Sequence, residues 1–264
     1  MTTATVDRIV YEVDHPDATG GTVLCIHGLG GSSNTWTALM PALERQRVIR
    51  IDLPGSGRSN RAEGELSIDR FVKACLRVLA ACHVERVRVL AHSMGTIVAT
   101  HLAAVEPARV ASLALFGPLL APPDAARPAL RARAATLRAS GIAGLQAVAD
   151  TLVQAATSSE TKATRHAAIA FVRETLMRQE PDGYARSADA LAAALPADAS
   201  RIDCPTLLVT GDQDGVAPPL AVRQMAERIR GAQLEVLAGC GHWTPIERPD
   251  ACMDALRRFH ARRT

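Results

Sequence analysis

VRVLAHSMGTIVATHLAA, residues 87–104, decides how the chain is read. The apolar, chain-stiffening run 87–90 has the texture of a buried strand, and from Met94 onward Ile97, Val98, Leu102 and Val105 fall at helical spacing. A single serine, Ser93, stands at the joint, with Ala91 two residues before it and Gly95 two residues after. Small side chains at those two places permit a turn so sharp that the flanking residues nearly touch. Such a turn pushes the serine hydroxyl outward. A core position has no use for that hydroxyl, and an ordinary loop would be longer.

Working outward, β-rich runs recur at 8–13, 22–27, 47–52, 86–91, 110–116, 206–211 and 233–238. Helical patterns lie between most of them. Residues 67–82 place Ile68, Phe71, Val72, Cys75, Val78, Leu79 and Cys82 on one face behind a cap at Ser67, and the tail repeats the pattern with Met253, Leu256 and Phe259. Strands apolar on both faces that alternate with helices predict a mostly parallel sheet, covered on both sides. The alternation stops between about Pro118 and Ser200, where alanine supplies 25 of the 80 residues from 121 to 200. Three helical stripes occupy that stretch: Ile142, Leu145, Val148 and Leu152; Ile169, Val172, Leu176 and Met177; Tyr184, Ala188, Leu191 and Leu195. They read either as a lid or as a second packed domain.

The bulk properties set limits. A chain of 264 residues buries a core large enough to need no disulfide or metal staple. The formal charge of +3 arises from 30 basic and 27 acidic residues spread along the chain, and 3% aromatic content argues against base stacking, so no nucleic-acid partner is expected. The six cysteines show no metal spacing and no C-x-x-C pairing, which predicts small core residues in a reduced, cytoplasmic protein. The start, MTTATVDRIVYEV, carries no basic-then-apolar leader, and no apolar run approaches a membrane span. Oligomeric state leaves no trace in the sequence.

A serine hydroxyl is a weak nucleophile at neutral pH and needs an adjacent base to take its proton. A-H-S-M-G, residues 91–95, resembles the nucleophile elbow of the α/β-hydrolase family, with Ala91 in place of the usual first glycine. LCIHGLGGSSNTW (24–36) resembles that family's His-Gly loop, and DLPGSGRS (52–59) the loop after a following strand. GDQDGVAPP (211–219) and GCGHWTPIERPD (239–250) resemble the loops that carry its acid and its histidine. The resemblance implies an α/β-hydrolase fold with a mostly parallel, doubly covered sheet of about seven to eight strands. Its core would span 1–117 and 201–264, with a helical lid over 118–200. It also implies a triad of Ser93, His242 and Asp214, with the backbone amides of Leu29 and Met94 as oxyanion donors. Asp212 competes for the acid role, although its place directly after Gly211 suits turn stabilisation. No cofactor or metal is needed for that chemistry.

The remaining candidates have plain structural readings. His27 is expected to make loop hydrogen bonds, and His92 to point its ring away from the site. Trp36 is expected under the glycine loop, Trp243 either lines a pocket or braces its loop, and Cys240 is a small packed residue. Gly28-Leu29-Gly30 with Asp52 imitates a dinucleotide fingerprint, but Ser33 stands where the third glycine belongs. Among relatives in the family, PDGYARSADALAAA (181–194) with PTLLVTGDQDGVAPP (205–219) is most similar to 3-oxoadipate enol-lactonases and neighbouring small catabolic hydrolases. That likeness implies a small ester or lactone substrate, with one or more of Arg131, Arg133 and Arg138 binding a substrate carboxylate. A solvated basic helix face is the alternative for those arginines. Carbon–carbon bond hydrolases, carboxylesterases, cofactor-free perhydrolases and a ligand-binding receptor share the same motifs.

Overall fold

Runs rich in Val, Ile and Leu become strands of one sheet in the computed structural model, which describes residues 1–60 and 63–261. The strands are β1 (Thr2–Val6), β2 (Ile9–Asp14), β3 (Thr22–Ile26), β4 (Arg47–Ile51), β5 (Val87–His92), β6 (Val110–Phe116), β7 (Thr206–Gly211) and β8 (Gln233–Leu237). Their spatial order is β1-β2-β4-β3-β5-β6-β7-β8. β2 runs antiparallel to β1 and β4, and every later pairing is parallel. The expected α/β-hydrolase architecture is therefore present, with one addition. The segment TTATV forms β1, a hairpin partner of β2, which the strand pattern of the sequence did not single out. Its hairpin turns at Asp7 and Arg8, both with positive φ. That left-handed geometry matches the twist of paired strands; Asp7 is a usual first residue there, whereas Arg8 stands where glycine is usual.

Alternation along each central strand divides the core in two. Leu24, Ile26, Ile49, Ile51, Val89, Ala91, Leu113, Leu115 and Leu208 face one side. Val23, Cys25, Val48, Leu90, Ala114, Phe116, Leu207 and Val209 face the other. The first face is covered by α1 (Ile68–Ala81), α2 (Met94–Val105) and α7 (Pro219–Arg228). The second is covered by a 3-10 helix at Ser33–Ala42 and by α9 (Pro249–Ala261), through Trp36, Leu39, Cys252, Leu256 and Phe259. Each such large apolar side chain contributes on the order of 1.5–3 kcal/mol on burial. Ser67 caps α1 as its sequence predicts, its hydroxyl accepting from the Arg70 N–H at 3.2 Å.

Between β6 and β7 the chain leaves the sheet for α3 (Arg127–Ala156), α4 (Ser159–Thr164), α5 (His166–Met177) and α6 (Pro181–Ala193). Their core is a third cluster that includes Ala134, Leu137, Leu145, Val172, Leu176 and Tyr184. Three members of the expected stripes lie elsewhere: Leu191 packs into the first cluster of the sheet, while Ile142 is 77% exposed and Leu195 70% exposed. Gly141 explains the exposure of Ile142, because its φ of +53° bends α3 and resets the helical phase just before it. Leu195 lies past the end of α6. Among the described residues no helix is long and apolar enough to cross a membrane.

Candidate active site

β5 and α2 meet at Ser93, whose φ is +52° and ψ −124°. A side-chain-bearing residue held there stores on the order of 1–3 kcal/mol of strain, which the surroundings must offset. The Ser93 N–H donates to Phe116 O at 3.0 Å, and Ser93 O accepts from Thr96 N at 2.8 Å and from Thr96 Oγ1 at 2.6 Å. Thr96 Oγ1 in turn accepts from Leu119 N at 2.9 Å, so the turn is tied to the loop after β6. Gly95 is obligatory: a Cβ there would lie 2.5 Å from Ile26 O and 2.6 Å from His27 O. Gly28 faces the serine from the next strand's loop, where a Cβ would lie 2.8 Å from Ser93 Cβ. Ala91, fully buried in β5, fits without being glycine.

Two loops bring the partners. His242, after β8, places Nε2 at 2.8 Å from Ser93 Oγ and Nδ1 at 2.9 Å from Asp214 Oδ2. An ionised carboxylate only accepts, so Nδ1 carries the proton and Nε2 presents a lone pair to the serine O–H. Asp214 is 2% exposed, and Oδ1 accepts from Val216 N at 2.8 Å and Ala217 N at 2.7 Å. Burial alone would raise its carboxyl, but the neighbouring His242 and those amide donors outweigh burial and hold it below the usual carboxylate range. Gly117 leaves room for the imidazole, since a Cβ there would lie 2.9 Å from its Nδ1. Asp212 lies apart and exposed, accepting from Cys240 N at 3.0 Å as a turn residue.

The remaining candidates sort by position. His27 bridges its loop as expected, with Nδ1 at 2.7 Å from Gly28 O and Nε2 accepting from Leu53 N at 2.9 Å. His92 departs from expectation. Its ring lies tilted, 5.1 Å from that of His242 and 5.2 Å from that of Trp243, and its Nε2 donates to His242 O at 3.0 Å. The side chain before Ser93 thus packs against the histidine loop, and His92 is among the residues that line the cavity at Ser93. Burial, and then His242, push the His92 pKa down to about 3, so it stays neutral. Cys240 is buried, which raises its thiol far from the ionising range. Trp36 lies beneath the sheet, edge-on to Phe116 at 5.9 Å. Asp52 is committed to structure, accepting from Ser33 N at 2.7 Å and Arg58 Nε at 2.8 Å.

Glu247 escaped the sequence reading. It is fully buried, and its carboxylate accepts from Gly241 N at 3.0 Å, Trp243 N at 3.1 Å and Ser158 N at 2.8 Å. The histidine loop is thereby joined to the turn between α3 and α4. His242 N donates to Ala156 O at 2.8 Å, and Gln213 Oε1 accepts from Ser159 N at 2.9 Å at the same place. A glutamate before Arg248 and Pro249 reads as a surface residue, so only the tertiary contacts betray it.

Above Ser93 lies a cavity of about 240 Å³ under the helical insertion. Leu119, Pro122, Leu130, Leu152, Leu191 and Val216 make its wall apolar, while Ser93, His242, Trp243, Leu29, Arg133 and Tyr184 also line it. Met94 opens α2, so its N–H has no carbonyl one turn back to bond. Gly28 O is held by His27 Nδ1 and by Gly31 N at 3.0 Å, so the planar peptide turns the Leu29 N–H the opposite way. The three arginines part company. Arg133 lines this cavity, whereas Arg131 and Arg138 line a separate cleft with Arg186 and Asp189, and Arg138 pairs with Asp189 at 2.7 Å. The structure does not bring Arg131 or Arg138 to Ser93.

Residues 21–249 match the family described as the alpha/beta hydrolase fold. The chain belongs to that family. Among α/β hydrolases it is 30% identical to 2-hydroxymuconate semialdehyde hydrolase of Pseudomonas sp. strain CF600, over 88% of this chain and 84% of that one. It is 32% identical to a protein of Variovorax paradoxus strain S110 provisionally named as the carbamate hydrolase RutD, over 96% of each. Its fold superposes on the enol-lactonase from Burkholderia xenovorans LB400 with a TM-score of 0.89 and 25% identity, covering 98% of this chain and 100% of that one. These α/β hydrolases share the scaffold while their names specify different bonds.

Proposed function

We propose that this α/β hydrolase is a serine hydrolase that cleaves a small carboxylic ester or lactone. Ser93 is the nucleophile. His242 takes its proton through Nε2 as Oγ attacks the carbonyl, then passes that proton to the leaving oxygen. Asp214 fixes the imidazole tautomer and stabilises the imidazolium formed in between. The amides of Leu29 and Met94 are the oxyanion donors, each worth about 10²–10³ in kcat. Water repeats the sequence on the acyl-enzyme and frees Ser93. The helices over 118–200 act as a lid on a core of 1–117 and 201–264, with Trp243 lining the pocket they close. Five of the six cysteines are buried side chains, as small core residues are, and the reading takes the protein to act in the cytoplasm.

One observation carries the reading: an unbroken hydrogen-bonded chain from Ser93 through His242 to Asp214, with its serine end in an apolar cavity. The full-length likeness to an enol-lactonase supports an ester or lactone bond. The 30% identity to a semialdehyde hydrolase favours a second reading, hydrolysis of a carbon–carbon bond in a vinylogous diketone. A fluorophosphonate probe is expected to label the protein rapidly and to fail on Ser93→Ala. Turnover of short aryl esters, enol-lactones and vinylogous diketones then separates the two readings. An intact protein that resists the probe and turns over none of these would be a binding module instead.

A further inference from the structure

The turn that carries Leu29 is held from the helical insertion. Gly31 N–H donates to Gly28 O at 3.0 Å and closes residues 28–31. Gly30 C=O and Gly31 N–H belong to one planar peptide, and Gly28 C=O and Leu29 N–H to another. A group that grips Gly30 O therefore acts on the direction of the Leu29 N–H through two rigid units and one hydrogen bond.

Gln179, in the link between α5 and α6, supplies that grip. It is 4% exposed. Its Nε2 donates to Gly30 O at 3.1 Å, Gly31 O at 3.2 Å and Thr175 O at 2.7 Å, and its Oε1 accepts from Gly57 N at 3.1 Å in the loop after β4. Three carbonyls at one end and an N–H at the other fix which way the amide points. Thr175 Oγ1 adds a bond to Gly30 O at 3.3 Å. Gly30 has a φ of +75°, and a Cβ there would run into Leu176 Cδ2, so the turn seats directly on α5. The link itself does not need this side chain. Gln179 N closes α5 on Leu176 O at 3.3 Å, and the Glu180 carboxylate caps α6 by accepting from Asp182 N at 3.0 Å.

We propose that Gln179 is a positioning residue for the oxyanion hole. It holds Gly30 O so that the bond from Gly31 to Gly28 aims the Leu29 N–H at the carbonyl oxygen attacked by Ser93. Each bond in this series also polarises the next peptide in the same sense, which strengthens the Leu29 N–H as a donor. Negative charge on that oxygen develops in the transition state, so the contribution falls on kcat rather than on substrate binding. The proposal rests on the serine-hydrolase reading given above.

Gln179→Met keeps the length of the side chain and removes its donors. With 4-nitrophenyl acetate, kcat is expected to fall about 10- to 100-fold, short of the full loss of one oxyanion donor, while KM stays within about twofold. A trifluoromethyl ketone, which adds to Ser93 as an oxyanion, is expected to bind more weakly by the same factor as kcat. The matching methyl ketone, which does not add, binds as before. A lowered urea midpoint alone would leave both ketones unaffected. Unchanged kcat in folded Gln179→Met, or equal weakening of both ketones, overturns the proposal. Should that variant fail to fold, Thr175→Val is read instead: a selective loss of about 2- to 10-fold, the range for one neutral hydrogen bond, upholds the proposal and no loss overturns it. Amide hydrogen exchange follows the turn without turnover. Gly31 N–H is expected to exchange faster in Gln179→Met while the amides of β5 keep their rates. That result upholds the hold of Gln179 on the Leu29 turn even if wild type resists the fluorophosphonate, which would sink only the hydrolase reading. An unchanged Gly31 rate overturns it whatever the kinetics.

Discussion

His92 and His242 sit with rings 5.1 Å apart and meet different partners. His92 is enclosed, with its pKa pushed down to about 3, so it stays neutral, while His242 is the ring whose Nε2 lies 2.8 Å from Ser93 Oγ. The folded chain thus refuses a proton that the unfolded chain accepts below about pH 6.5. Stability from this residue is fully present above that value and is lost as pH falls toward about 3, at about 1.4 kcal/mol per pH unit. His27, also lowered by burial, adds to the slope in the same direction. Urea unfolding of wild type and His92→Asn across that window is expected to give a shallower pH dependence for the variant, by about one proton. Parallel slopes would show that His92 is protonated in the fold. Its position was visible in the sequence. Its direction was not, because a ring beside a strained turn is steered by what packs over it.

At the scale of elements, the histidine loop depends on a carboxylate five residues downstream. Glu247 gathers amides from Gly241, Trp243 and Ser158, locking the short helix α8 (Thr244–Glu247) and the turn after α3 to the loop that carries His242. Glu247→Gln turns one accepting oxygen into a donor facing N–H groups. The expected cost is about 1–3 kcal/mol of stability. A displaced imidazole would add a fall in kcat of up to about 10²-fold. Urea midpoints measure the first effect. The rate of fluorophosphonate labelling at Ser93, measured where both proteins are fully folded, isolates the second. Full labelling speed in a destabilised variant would limit Glu247 to a structural role. Strand and helix identities were legible from apolar period, and the elbow from its small residues. This brace was not, since its partners are backbone amides from segments far apart in the chain.

Over the whole molecule, the helical insertion roofs the carboxyl ends of the central strands and leaves a small cavity there. About 240 Å³ is a small space for a substrate, given that ligand pockets usually run to about 300–1,000 Å³. Acetyl and butyryl aryl esters are accordingly expected to turn over, with kcat/KM collapsing for lauroyl and palmitoyl esters. A flat chain-length profile would mean that the α3 and α6 roof opens widely during catalysis. The same roof sorted the three arginines. Periodicity placed all of them on one helix, but α3 presents Arg133 to the chamber and Arg131 and Arg138 to another cleft.

The sequence by itself determined the sheet-and-helix alternation, the strained serine turn and the order of serine, acid and histidine. Those features are written in side-chain size, apolar period and local motif, which neighbours along the chain suffice to express. Only the tertiary structure decided that His92 packs against His242 and Trp243, that Glu247 is buried, and that one arginine of three lines the cavity of the serine. Each of those outcomes depends on which distant segment supplies a donor, an acceptor or a wall, and the burial that sets such energies exists only once the segments have met.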